Sequence, residues 1–131
     1  MKIRSGFVSN SSSSSFVVIG FEIDENRFTM KDYLIKLAGK TEEEIPEDEF
    51  DLEDMFCDIR RSKDLYIATH DEDGAEKGKH LIGVLVEDAE DGQFGNNSHD
   101  MNELTEKAEI LKSKLKVEDA NIMLRVGVRC C

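Results

Sequence analysis

Apolar residues recur along four segments of this chain in the patterns of β-strands. Residues 16–23 (FVVIGFEI) and 81–87 (LIGVLVE) are apolar on both faces, as buried strands are, and Gly20 is expected to mark a bulge. Residues 65–70 (LYIATH) form a shorter run. Near the C-terminus apolar side chains alternate with polar or small ones, which predicts a half-buried edge strand with one wet face. Its apolar positions are Ile122, Leu124, Val126 and Val128.

Three other segments have apolar residues at helical spacing. The first begins at Thr29, which has the spacing of a capping box with Asp32. The second is expected to open at Pro46, because proline is favoured in the first helical turn. The third begins at Asp100, a good N-cap residue. The buried stripe of the second helix is formed by Leu52, Met55, Phe56 and Ile59.

The predicted element order is β-α-α-β-β-α-β. If one early helix is an insertion, the remaining order is that of the ferredoxin-like fold: an α+β protein with a four-stranded antiparallel sheet and helices on one face. Right-handed crossovers then make the first and third strands central. A different α+β sheet order is the alternative. We divide the chain into a Ser-rich N-terminal arm, residues 1–15, and a single α+β domain, residues 16–131.

The second face of this sheet needs a cover, because the two central strands are apolar on both sides and helices cover only one. The extra helix, the N-terminal segment, a second copy or a ligand would serve. After a cover from within the chain, a homodimer through the open sheet face is the next expectation.

Charge is concentrated in one segment. The chain carries 29 acidic and 17 basic residues, a formal net charge of −12, and residues 42–58 contain ten acids and no base. Such a field repels phosphates, so direct binding of nucleic acid is not expected, whereas a protein partner with a basic surface would be attracted.

The second helix is therefore amphipathic, and its acidic side is the first candidate site. Helical spacing aligns Glu47, Asp51, Asp54 and Asp58 over about 16 Å, and Asp48 flanks them. This row suits an inhibitor or DNA mimic that occupies a basic groove of a host or viral protein. The alternative is that the acids only confer solubility.

The N-terminal serines are the second candidate site. Six of residues 9–15 are serine. Ser11, Ser12, Ser13 and Ser14 would form the anion-binding loop of a small-ligand or nucleotide-binding module, together with the open sheet face. The alternative is a linker. The opening residues, MKIRSGFVSNSSSSSFVV, resemble the recurring N-terminus (GFVSNSSSSSF) of assorted small uncharacterised proteins of bacteriophages and bacteria. The resemblance covers about eighteen residues and implies a phage or prophage accessory protein that acts by binding.

The sequence contains no complete catalytic motif, so no enzyme is expected. Its three histidines are expected to be ordinary surface residues, and no metal or other cofactor is predicted. Three cysteines without a regular spacing, and the absence of any long apolar run, favour a cytoplasmic protein without membrane contact, in the host cytoplasm if it is phage-encoded. A self-assembling structural component of the virion is a further alternative.

Overall fold

The computed structural model describes residues 14–62, 64–70, 74–89 and 97–129. Its elements are β1 (Ser14–Asp24), α1 (Met30–Lys36), a 3₁₀ turn (Glu42–Glu44), α2 (Glu49–Ile59), β2 (Arg61–Ser62), β3 (Leu65–Ala68), β4 (Lys79–Ala89), α3 (Met101–Leu115) and β5 (Met123–Arg129). These strands form one antiparallel sheet in the order β2-β3-β4-β1-β5. The predicted element order and the ferredoxin-like sheet with two central strands are confirmed. The two-residue strand β2 adds an edge that hydrophobic periodicity is too coarse to reveal.

Capping side chains fix the starts of α1 and α3 as the sequence predicts. The backbone N–H of Thr29 donates to Asp32 Oδ2 at 2.9 Å, and the N–H of Asp32 donates to Thr29 Oγ1 at 3.2 Å, which completes the capping box of α1. Asp100 accepts hydrogen bonds from the N–H groups of Asn102 and Glu103 and begins α3. Both helices therefore start where a side-chain oxygen can satisfy otherwise unpaired donors.

All three helices pack on one face of the sheet. Their buried side chains and those of the central strands form a single apolar cluster. It includes Ile19, Phe21, Tyr33, Phe56, Ile82, Val84, Leu104, Ala108, Leu111 and Leu115. The extra helix, α2, belongs to this cluster through Phe56, so it does not cover the second face of the sheet.

The second face is covered in part by residues 74–76, in the loop between β3 and β4. Phe16 and Tyr66 are fully buried there, and their rings stack at 5.8 Å between centroids. Ala75 of the loop is also buried and packs in the same cluster. A Cβ atom at Gly74 would lie 2.3 Å from Phe16 Cζ, so the loop approaches the ring as closely as glycine permits. These central side chains are thus buried within one chain.

Arg125 holds this loop on the sheet. Its Nη1 donates to the carbonyl oxygen of Gly74 at 3.2 Å, and its Nη2 donates to Glu22 Oε2 at 2.7 Å. Glu76 Oε1 lies 3.7 Å from the same Nη2 atom. A half-buried guanidinium with several acceptors joins β5, β1 and the loop, which is a use that planar, multidentate arginine suits better than lysine.

The expected burial of β5 is only partly right. Side chains alternate as predicted, and Ile122 packs against the core, but Leu124 and Val126 are 57% and 61% exposed. They point to the helix face, where α3 packs over β1 and β4 and leaves the edge strand open. Arg125, on the opposite face, is the more buried side chain. Hydrophobic alternation predicted the correct strand. Which face of β5 is buried, however, depends on how far α3 extends over the sheet.

The backbones of β1 and β4 approach each other closely at Gly20 and Gly83, which face each other across the two strands. A Cβ atom added to Gly20 would lie 2.1 Å from the carbonyl oxygen of Ile82. The pairing is regular at this point. The predicted bulge at Gly20 is wrong: the register shift lies between Val17 and Val18, and Gly20 is required for close strand approach instead.

Candidate acidic interaction surface

The loop before α2 determines where the acidic helix begins. The N–H of Thr41 donates to Glu44 Oε1 at 3.0 Å, and this bond holds the pKa of the Glu44 carboxyl below its usual value. Further along, Asp48 Oδ1 accepts the N–H of Phe50 at 3.1 Å and is the N-cap of α2. The expectation that Pro46 opens the helix is therefore wrong. The aspartate prevails because it supplies an acceptor to the free N–H groups, which proline cannot do.

The inner side of α2 rests on α1 through aromatic packing. Phe56 is 4% exposed, and its ring stacks on that of Tyr33 at 6.2 Å between centroids. The other members of the predicted stripe, Leu52, Met55 and Ile59, are half-buried. The position of the predicted stripe is confirmed, with one buried side chain and three half-buried ones.

Below this contact, Tyr33 also bonds to the sheet. Its hydroxyl lies 2.6 Å from His80 Nδ1 at the start of β4. Burial raises the pKa of Tyr33, so the hydroxyl stays protonated and donates, and burial lowers the pKa of His80, which favours the neutral acceptor. The expectation that all three histidines are ordinary surface residues is wrong for His80, because its position in a strand carried no signal of the tyrosine 47 residues earlier.

The outer side of α2 carries exposed carboxylates. Asp51, Asp54 and Asp58 are exposed, and none of them forms an ion pair with any residue that the structure describes. Glu47 is exposed but precedes the helix, so the expected row of four carboxylates becomes three on the helix. Asp51 and Asp58 are seven positions apart, or about 10 Å along the axis. Asp48 faces its own helix as a cap.

A side chain that charge patterning does not single out lies among these carboxylates. Phe50 is 78% exposed, more than any other large hydrophobic side chain of the described ranges. Spacings of i, i+4 and i+8 place Phe50, Asp54 and Asp58 on one line of α2, with Asp51 beside them. We call these four residues the acidic face. The signal was in the sequence, since Phe50 falls outside the apolar stripe of the same helix.

An open cavity of about 350 Å³ at the start of α3 holds another cluster of ionisable groups. Its charged side chains are bonded to one another: His99 contacts Glu87, and Lys107 Nζ donates to Asp64 Oδ1 at 3.0 Å. This bond to Asp64 raises the pKa of Lys107. These two contacts hold α3 to the sheet and to the β2–β3 turn. Among the described residues, His99 and Lys107 therefore already have partners within the protein.

The remaining candidate residues are placed as follows. Ser11, Ser12 and Ser13 lie outside the described residues, and Ser14 is the first residue of β1, so the anion-binding loop stays a prediction. In the ranges that the structure describes, no three His, Cys, Asp or Glu side chains cluster closely enough to hold a metal ion. Among the same residues, no helix has the length and apolar character needed to cross a membrane.

No protein-family model, curated protein sequence or solved structure matches this chain significantly. Its function must therefore be inferred from the residues of the acidic face and their surroundings.

Proposed function

We propose that the acidic face of α2 binds a protein partner with a basic surface, and that the protein acts by this binding rather than by catalysis. The observation that carries the proposal is the exposure of Phe50 among carboxylates that have no counterion in the described structure. The exposed ring offers apolar surface that a pocket in a partner can bury, and aromatic side chains are enriched among the residues that dominate binding energy.

The two kinds of side chain would do different work. The carboxylates steer a basic surface toward α2 and set the orientation of the encounter. Phe50 supplies the apolar contact that resists dissociation, as aromatic residues do at the centre of interfaces. This division predicts that charge substitutions act mainly on the association rate and its salt dependence, and that Phe50 acts mainly on the dissociation rate.

The spacing of the carboxylates favours a protein surface with separated basic residues. Along the axis of α2, Asp51 and Asp54 are about 4.5 Å apart, and Asp54 and Asp58 about 6 Å apart. Phosphates of one DNA strand rise by about 3.4 Å per nucleotide. Mimicry of DNA would thus be approximate, and an inhibitory effect would arise where the partner uses the same basic surface to bind nucleic acid.

We place this binding in the cytoplasm of a bacterial host, on the resemblance of the first eighteen residues to small phage and bacterial proteins. A net charge of −12 supports a partner that is itself basic, and it opposes direct contact with nucleic acid. The same charge opposes contact with anionic membranes.

Affinity capture with matched variants tests the proposal. The full chain, immobilised, is exposed to bacterial lysate at low and at high salt, alongside the triple variant Asp51→Asn, Asp54→Asn, Asp58→Asn and the single variant Phe50→Ala. We expect wild type to retain a basic protein that salt releases. The affinity of that protein should fall at least about tenfold for the triple variant and for Phe50→Ala, because interface hot spots are worth about 2 kcal/mol or more.

The control removes three charges elsewhere. Glu106→Gln, Glu118→Gln and Asp119→Asn neutralise exposed acids outside α2 and should leave capture unchanged. Asp48→Asn, which keeps an N-cap, separates charge from helix capping. If the triple variant and Phe50→Ala capture the same proteins as wild type, the acidic face is not the binding site. Displacement of the partner by duplex DNA would identify its basic surface as a nucleic-acid groove.

A further inference from the structure

The two edges of the sheet differ in length and protection. At one edge β2 has two residues, Arg61 and Ser62, and so offers almost no template for another strand. At the other edge β5 runs for seven residues and pairs with β1 over its whole length. Its second side has no ladder partner among the residues that the structure describes. Half of the backbone donors and acceptors of β5 therefore face outward.

β5 lacks several of the features by which edge strands usually avoid pairing, and its charged residues are Arg125 and Arg129. It contains no proline or lysine, and its register with β1 has no bulge. Arg125 does not protect the edge, because Glu22 and the carbonyl of Gly74 hold its guanidinium over the second face of the sheet. The strand is thus open to an added strand.

The side chains beside this open backbone are apolar. Leu124 and Val126 are 57% and 61% exposed and point to the helix face of the sheet. An added strand would bring its own side chains within about 5 Å of these two residues. The surface therefore suits a strand with apolar residues on the same face.

We propose that β5 pairs antiparallel with β5 of a second copy of this chain, about a two-fold axis at Arg125. In this register Leu124 of each copy faces Val126 of the other, so four exposed apolar side chains cover one another. Each Arg125 faces its counterpart on the opposite side, and each is already neutralised by its own Glu22. The result is one continuous sheet shared by two chains, closed at the dimer.

The distribution of charge opposes a second copy less at this edge than at the other. Residues 121–129 carry two arginines and no acid in a chain of net charge −12. The acidic α2 contacts β2 at the opposite edge. In the dimer the two β2 strands lie nine strand spacings apart, about 43 Å, which is several screening lengths at physiological salt. Like-charge repulsion between the acidic faces is therefore weak in this arrangement. Dimerisation at β5 does not depend on the proposed function of α2.

Sedimentation equilibrium of the full chain over a wide range of concentrations tests the proposal. We expect the mass to rise from 14.8 kDa toward twice that value and to stop there, because an isologous edge contact closes. Leu124→Lys and Val126→Lys place a charge on the edge and should give monomers. Ile110→Lys is the matched control: Ile110 is 49% exposed on α3, receives the same charge, and should leave dimerisation unchanged.

Hydrogen exchange locates the contact independently of substitution. At high chain concentration, alternate amides of β5 should exchange more slowly than in dilute samples, whereas those of β2 should not change. A wild-type mass of 14.8 kDa at every concentration would overturn the proposal. So would assemblies larger than two chains, or a dimer that survives both lysine substitutions while its variants retain the wild-type circular dichroism spectrum.

Discussion

At the scale of single residues, the Tyr33–His80 hydrogen bond connects the helical layer to the sheet beneath the acidic helix. Tyr33 is fully buried, contacts Phe56 of α2 and donates to the neutral imidazole of His80. A buried donor and acceptor of this kind contribute about 1 kcal/mol when paired and cost more when one loses its partner. The packing of α2 on Tyr33 is therefore linked to the protonation of His80.

The stability of the protein should depend on pH through His80. Burial lowers its pKa in the folded chain, so between that value and the unfolded pKa of about 6.5 the unfolded chain binds more protons. The part of the free energy of unfolding that depends on neutral His80 is fully present above about pH 6.5. It is lost as the pH falls through the lowered pKa of the folded chain. Urea denaturation of wild type and His80→Gln at a series of pH values measures it.

In His80→Gln this part of the pH dependence should be absent, since glutamine accepts the Tyr33 hydrogen bond without titrating. His70→Gln, a change at an exposed position, serves as the control and should keep most of it, because burial is the main cause of the lowered His80 pKa and the charge of His70 a smaller one. Equal pH dependence in wild type and His80→Gln would show that the His80 imidazole does not set the stability in this range.

The roles of individual residues were harder to predict from the sequence than the order of the elements. Helical spacing identified Asp51, Asp54 and Asp58 as an outer row, because spacing alone fixes which residues share a helix face. It could not identify the Glu22–Arg125 bond, whose partners are 103 residues apart and meet only in the folded sheet. Nor does charge patterning reveal Phe50, which is apolar and yet remains exposed on the same side of α2.

At the scale of elements, the pairing of β1 with β4 depends on the two facing glycines. A methyl group at Gly20 would lie 2.1 Å from a backbone carbonyl, which cannot turn aside as a side chain can. We expect Gly20→Ala to lower the free energy of unfolding by about 2–4 kcal/mol, measured by chemical denaturation.

Gly39→Ala is the comparison for this change. Gly39 has a φ of +73°, and a methyl group added to it would have no atom within 4 Å, so alanine there meets backbone strain alone. That strain should cost about 1 kcal/mol. If Gly20→Ala costs no more than Gly39→Ala, the close approach of β1 and β4 is not what requires glycine at position 20.

The order and type of the elements followed from sequence because each has a local signal. Strand periodicity, the Thr29–Asp32 capping box and the Asp100 cap all act within a few residues. The errors had two causes. The start of α2 is a local choice between two residues, and the capping oxygen of Asp48 outweighed the helix-starting tendency of Pro46. The exposure of Leu124 and Val126 depends instead on how far α3 extends over the sheet, which a short sequence window does not contain.

At the scale of the whole molecule, the acidic excess opposes the stability of the helix that carries it. Asp54 and Asp58 are like charges at i and i+4, and Asp58 lies in the last turn of α2, where negative charge is unfavourable. We expect the double variant Asp54→Asn, Asp58→Asn to raise the free energy of unfolding by about 0.5–1 kcal/mol at low salt. Denaturation at increasing salt should show this gain shrinking as the charges are screened.

Glu106→Gln is the control for general charge reduction, and it should give a smaller gain at the same salt concentrations. A double variant that is less stable than wild type would mean that the two carboxylates stabilise α2. A gain in stability would instead indicate that the acidic face is maintained against its cost to the fold, as binding sites often are.

The separation of β1 from its partners along the chain has a consequence for synthesis. Lys79, the partner of β1 nearest in sequence, lies 55 residues after Asp24, and Arg129 lies 115 residues after Ser14. At translation rates of about 5–20 residues per second, β1 waits about 3–11 seconds for β4. During that time one of the most apolar strands of the protein is unpaired, preceded by a run of serines that carries no apolar surface of its own. Synthesis of β4, rather than the speed of local turns, therefore limits when the two central strands can first pair.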